Sequence, residues 1–211
     1  MKRISVFIYI GVASAVLLLP LQVHSQLYIN EFLASNTGST IDPDFNESAD
    51  WIEIYNAGNV AVNIGGYFLT DNFDTPQKWQ IPAGTEVAPE GLILIWADGN
   101  DTGLHTNYKI SADGEELALF SATGNLIDSI SFGLQEPNIS MGRKNDGNSE
   151  WVFFTQPTPG ALNHSESFNG IVHSVPRFSV LGGIFQSPLT LDITNPFGGE
   201  IRYTLDGTEP D

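Results

Sequence analysis

Short β-rich runs recur along most of this chain, and each is closed by a turn that few residue types can make. The runs are LYINEF (27–32), WIEIYN (51–56), YFLTD (67–71), QKWQI (77–81), GLILIWA (91–97), EELALFS (115–121) and LIDSISF (126–132). Between them stand Asn56-Ala57-Gly58-Asn59, Asp98-Gly99-Asn100, Asp113-Gly114 and Thr123-Gly124-Asn125. Asn, Asp and Gly tolerate the left-handed backbone of tight turns, and helical periodicity is nearly absent. The pattern predicts an all-β sandwich or barrel. With no cysteine in the chain, its core is held by burial without disulfides. In WIEIYN, alternation puts Ile52 and Ile54 on one face and Trp51, Glu53 and Tyr55 on the other. The isoleucines are expected to face the core.

The first residues follow another pattern. Lys2 and Arg3 precede an apolar run from Ile4 to Leu21, and Val23-His24-Ser25 offers a cleavage-like end before Gln26. This is the three-part form of a secretory signal peptide over residues 1–25. The run reaches the low end of a membrane span, but Gly11 and Pro20 interrupt it. Cleavage after Ser25 would leave no membrane-inserted segment. It would also remove two of the 8 basic residues and none of the 25 acidic ones, leaving 6 against 25 and a formal charge of −19. So acidic a surface repels phosphate backbones, which argues against nucleic acid as a direct ligand. It suits a secreted or cell-surface protein.

No catalytic constellation emerges. His24, His105, His164 and His173 show no metal-ligand spacing with one another. There is no nucleophile elbow, phosphate loop or H-E-x-x-H. Glu115 and Glu116 are adjacent on a strand and point to opposite faces, so they cannot serve one substrate atom as acid and base. The expectation for this segment is no enzyme and no catalytic residue.

The stretch DPDFNESADWIE (42–53) carries the one candidate metal loop. Asp42, Asp44, Asn46, Ser48, Asp50 and Glu53 fall at positions 1, 3, 5, 7, 9 and 12 of a calcium-loop frame. Glu47 occupies the sixth position, where the sharp turn needs glycine, and the flanks read as strands. A true helix–loop–helix calcium hand is therefore not expected. A looser Ca2+ cage from Asp42, Asp44, Asp50 and Glu53 stays open, beside the plainer reading of a hydrated acidic loop with turn-capping aspartates. The acidic stretches at 98–101 and 144–150 read as ordinary turns. Trp51, Tyr55, Trp79, Trp96 and Trp151 fit either core packing or a stacking platform for sugars, and packing is the commoner use of such rings.

The order of motifs from residue 27 to 163 resembles the lamin tail domain. The matching stretches are INEFLASN (29–36), DWIEIYNAG (50–58), NIGGYFLTD (63–71), WQIPAGTEVAPEGLILIWADG (79–99), GEELALFSATGNLIDSISFG (114–133) and SMGRKNDGNSEWVFFTQPTPGALN (140–163). The resemblance implies an immunoglobulin-like β-sandwich in which Gly65-Gly66 turns the chain, LILIWA runs through the centre, and Pro157, Pro159 and Gly160 end the sheet. Residues 164–175 belong to a Pro-, Gly-, Ser- and Asn-rich stretch that reads as a linker. From Pro176, FSVLGGIFQSPLTL and YTLDGTEP together look like the start of a chitobiase/β-hexosaminidase C-terminal type of sandwich. Residues 176–211 are too few for a core of their own, so a natural precursor is expected to continue past Asp211.

Together these readings imply a non-catalytic extracellular binding or tethering module at the front of a larger secreted or cell-surface protein. Its partner would be a protein, a glycan or a cell-surface ligand. Two alternatives stay open. The segment could be the accessory front of a secreted hydrolase, nuclease or spore-coat-kinase-like enzyme, or it could bind glycans in a calcium-dependent way.

Overall fold

A computed structural model describes residues 27–170, 177–180, 183–194, 201 and 203–208. The expected signal peptide at 1–25 lies outside the described residues. Within them the chain is built of strands: β1 (Leu27–Leu33), β2 (Trp51–Asn56), β3 (Val62–Asn63), β4 (Phe68–Thr70), β5 (Trp79–Gln80), β6 (Glu86–Val87), β7 (Leu92–Trp96), β8 (Glu115–Phe120), β9 (Leu126–Phe132), β10 (Ser140–Arg143), β11 (Trp151–Phe154), β12 (Ser167–Phe168), β13 (Arg177–Phe178) and β14 (Ile193–Thr194). Six form one sheet in the order β12-β11-β10-β1-β2-β7, and four form a second in the order β5-β4-β8-β9. The pairs β3-β6 and β13-β14 stand as two-stranded ribbons. All of these pairings are antiparallel, so the all-β sandwich read from the turns is the fold observed.

The core lies between the two large sheets. Ile29 and Phe32 of β1, Ile52 and Ile54 of β2, and Ile95 of β7 meet Leu69 of β4 and Leu117 and Leu119 of β8. The inward isoleucines of WIEIYN are as expected. The opposite face of β2 is equally dry: Trp51 and Glu53 are fully buried. A second apolar cluster of Leu33, Ala49, Trp51 and Trp96 covers part of that face.

A bulge in β1 sets which side chains reach that outer face. Ile29 pairs with Ile54 and Glu31 with Glu53, so Asn30 is the extra residue. An inserted residue flips the phase of a strand. Leu27 and Ile29 face the core before the bulge, and Phe32 and Ala34 face it afterwards. Asn30 and Glu31 are both left on the outer side.

The expected central position of LILIWA is not what the fold shows. Its strand, β7, is the edge of the six-stranded sheet. The end of that edge is closed by a returning loop: the Trp96 N–H donates to the Leu104 carbonyl at 2.8 Å, and the Thr106 N–H donates to the Trp96 carbonyl at 2.8 Å. The loop caps the Trp96 end of this edge, one of the ways a sheet edge is blunted. The linker reading also shifts, because β12 lies within the expected linker and pairs with β11. Phe168 stacks on Phe153 with ring centroids 5.9 Å apart.

The Gly65-Gly66 turn forms as expected, closed by a Tyr67 N–H to Ile64 carbonyl bond of 3.0 Å. The two glycines are needed for different reasons. Gly66 sits at φ +85°, whereas a Cβ on Gly65 would lie 2.7 Å from the backbone N of Gly84. Gly65→Ala is expected to force two turns apart and cost about 1–3 kcal/mol. Gly66→Ala should cost nearer 1 kcal/mol through backbone strain alone. Chemical denaturation of both variants checks the ranking, and equal losses would show that the close approach of the turns does not matter.

Candidate functional site

Two groups of buried titratable side chains stand out, one at each end of the DPDFNESADWIE stretch. The first begins with a tight reversal at Asp42. Its N–H donates to the Glu47 carbonyl at 2.9 Å, and the Asn46 N–H donates to the Asp42 carbonyl at 2.9 Å. Asn46 takes φ +56° to close the turn, a conformation asparagine tolerates. The reversal buries Asp42 completely and leaves Asp44 on the surface, its side chain 70 % exposed. Asp42 Oδ1 accepts from the Asp44 N–H at 2.9 Å, while its buried Oδ2 has no hydrogen-bond partner.

His105 arrives opposite from the loop that closes β7. It is buried, and its two ring nitrogens face different carboxylates. Nδ1 lies 2.8 Å from Asp98 Oδ2 and 3.9 Å from Asp42 Oδ2, and Nε2 lies 3.2 Å from Asp44 Oδ2. The Phe45 ring meets the imidazole edge-on at 4.9 Å. Burial works against the imidazolium, but hydrogen bonds to Asp98 and Asp44 and the nearby charges of Asp98 and Asp42 raise the His105 pKa above its ordinary value. Asp98 is itself held by the Asn100 N–H at 3.0 Å and the Asn100 amide at 2.6 Å. One ligand atom each from Asp42, Asp98 and His105 fits within 4.8 Å. A polar cleft of about 410 Å³ adjoins the group, lined among others by Asn36, Glu47, Asp50, Asp98 and Lys109.

The four residues of the calcium cage that the sequence left open do not form one group. Asp42 and Asp44 join His105. Asp50 turns to the backbone, accepting from the Asn36 N–H at 2.7 Å, and burial raises its pKa. Glu53 points to a different neighbourhood, beside Glu31, its cross-strand partner. Alternation along β2 explains the split: Glu53 sits on the strand itself, while the aspartates belong to the loop before it. Asp98 and His105, read from the sequence as a turn residue and a lone loop histidine, are the side chains that complete the first group.

The second group is the pair Glu31 and Glu53, both fully buried. The segment 155–163 straps across them. Thr158 donates its hydroxyl to Glu31 Oε2 at 2.7 Å and its N–H to Oε1 at 3.1 Å, and the Ser140 hydroxyl donates to Oε1 at 2.5 Å. The Gly160 N–H donates to Glu53 Oε2 at 2.5 Å. Asn163 ties the end of the strap to the Arg143 carbonyl at 2.6 Å and to Asp146 Oδ1 at 3.1 Å. Burial raises the pKa of Glu31 and pushes that of Glu53 up to about 8. Both oxygens of Glu31 and Oε2 of Glu53 are held by internal contacts, while Glu53 Oε1 is buried without a hydrogen-bond partner, so this pair works as a brace. Asp146, in a stretch expected to be an ordinary turn, shares in it by accepting from the Asn30 amide at 2.8 Å.

The tryptophans divide along similar lines. Trp51, Trp79 and Trp96 are buried, which removes them from any surface platform for sugars. Trp151 is partly covered and lies under the Arg143 guanidinium at 4.8 Å. A family model described as the Lamin Tail Domain matches residues 21–133. A search of the curated proteins found no match.

Proposed function

Since the chain belongs to the lamin tail domain family, whose immunoglobulin-like members are generally non-catalytic binding or structural modules, we propose that it is an extracellular tether. In this reading it holds a larger secreted or cell-surface protein to a protein, glycan or cell-surface ligand. One observation supports the non-catalytic part most directly. The buried carboxyl pair Glu31 and Glu53 is sealed under the chain's own strap and offers no substrate access. The leader-like N-terminus supports export, with a mature N-terminus at Gln26. A second accessory module from Pro176 onward rests on the resemblance of that stretch to a chitobiase/β-hexosaminidase C-terminal sandwich.

The test is made in the native host, comparing the intact protein with a form lacking residues 27–170. The intact protein is expected in the surface fraction with its N-terminus at Gln26, and the deletion is expected in the medium. Retention of the deleted form at the surface would overturn the tethering role. An intracellular protein keeping Lys2 and Arg3 would overturn export.

A further inference from the structure

We propose that Asp42, Asp98 and His105 form a binding site for a single divalent transition-metal ion of the zinc class. The ligand atoms would be Asp42 Oδ2, Asp98 Oδ2 and His105 Nδ1. Zinc bonds nitrogen at about 2.0–2.1 Å and carboxylate oxygen at about 2.0–2.2 Å, so a nitrogen and an oxygen on one ion lie at most about 4.3 Å apart. Nδ1 already meets that limit with both oxygens, at 2.8 and 3.9 Å. One ligand atom from each of the three residues lies within 4.8 Å of the other two.

Two independent features point to an ion. Asp42 Oδ2 is fully buried, lacks a hydrogen-bond partner and is directed at the same ring nitrogen as Asp98. A buried carboxylate oxygen with no donor is costly, and a cation relieves that cost. The second feature is the far side of the ring. Asp44 Oδ2 lies 3.2 Å from Nε2, the carboxylate–histidine arrangement that orients metal-bound imidazoles and strengthens them as ligands. The fourth position falls to water, as in sites with three protein ligands.

The same residues disfavour calcium. Ca2+ takes six to eight oxygen ligands, whereas here one donor is an imidazole nitrogen. Asp50 accepts a backbone bond and Glu53 serves the strap. An ion would join the 42–47 reversal to the loop that covers the β7 edge, stiffening the surface around the adjoining cleft. The site does not depend on the tethering role, and either can fail alone.

The experiment titrates Zn2+, Co2+ and Ca2+ into the chelator-stripped full chain, read by calorimetry, thermal melting and visible absorption. One Zn2+ per chain and a raised melting temperature are expected, with Co2+ giving absorption bands that Zn2+ abolishes. Asp42→Asn should weaken Zn2+ binding on the order of 100-fold, and Asp44→Asn about 10-fold through the ring alone. Asp50→Asn should leave it unchanged. Because Asp44 is exposed, its variant tests the site even if the Asp42 variant does not fold. Absence of Zn2+ and Co2+ binding, preference for Ca2+, or equal affinity in Asp44→Asn and the parent would each overturn the assignment.

Discussion

Arg143→Ala is expected to cost about 3–5 kcal/mol, the usual penalty for stripping one partner from a buried ion pair. In a chain of this size that is a fall in melting temperature of roughly 10 °C. Arg143 is buried and holds three elements at once. Its Nη2 meets Asp128 Oδ2 of β9 at 2.6 Å, its Nε donates to the Ile29 carbonyl of β1 at 2.8 Å, and its Nη1 donates to the Asn148 carbonyl. The guanidinium also lies over Trp151 and Tyr28. Asp128 Oδ2 in turn accepts the Ile29 N–H at 2.8 Å, just before the bulge that re-aims Asn30 and Glu31. The cluster therefore fixes the bulge as well as the seam between the sheets. Alanine leaves Asp128 charged without a counter-ion and the Ile29 carbonyl without its donor. Arg143→Lys should recover only part of the loss, because a single ammonium cannot span three directions as the fork does. An alanine variant melting within about 1 kcal/mol of the parent would show that the seam is held by apolar packing alone.

That seam was not visible in the sequence, for a reason that applies to much of this molecule. WIEIYN and LIDSISF were legible to the residue because they are long enough for composition and turn signals to agree. The strands β10 and β11 were harder: SMGR contains a glycine and a charge, and WVFF has no alternation. The β1 bulge is a one-residue phase change that no residue type announces, yet it decides that Glu31 rather than Phe32 faces the strap. The strap itself, with Pro157, Pro159 and Gly160, reads as a sheet-ending segment until its N–H groups are seen on Glu31 and Glu53. The His105 group failed to show for a related reason. Asp44 and His105 are 61 positions apart, so no spacing rule joins them. The one available signal was the seven-residue interval from Asp98 to His105, in a loop that returns to the strand it leaves.

Stability is expected to fall as pH rises from about 4.5 to about 8, and Glu53→Gln is expected to flatten that slope. Glu31 and Glu53 are buried side by side. Burial is the main cause of the raised Glu53 pKa of about 8; the Gly160 N–H opposes it, and the charges of Glu31 and Asp146 add to it. Burial likewise raises Glu31, against its bonds from Ser140 and Thr158. The folded state thus holds a proton that the unfolded chain, with a glutamate pKa near 4.5, has released. Where the folded state binds more protons, stability declines with rising pH, by about 1.4 kcal/mol per unit for one group. The contribution is fully present below about 4.5 and lost above about 8. Other carboxylates titrate in the same range, so the measurement is the difference between parent and Glu53→Gln across pH 5–9. Glutamine keeps an oxygen for the Gly160 N–H without a charge to bury. It should match the parent within about 1 kcal/mol at pH 5 and exceed it by about 2 kcal/mol or more at pH 8.5. Parallel curves would mean that Glu53 is ionised under the strap at neutral pH. The strap would then rest on a charged brace, and the reading of a neutral, sealed carboxyl would fall.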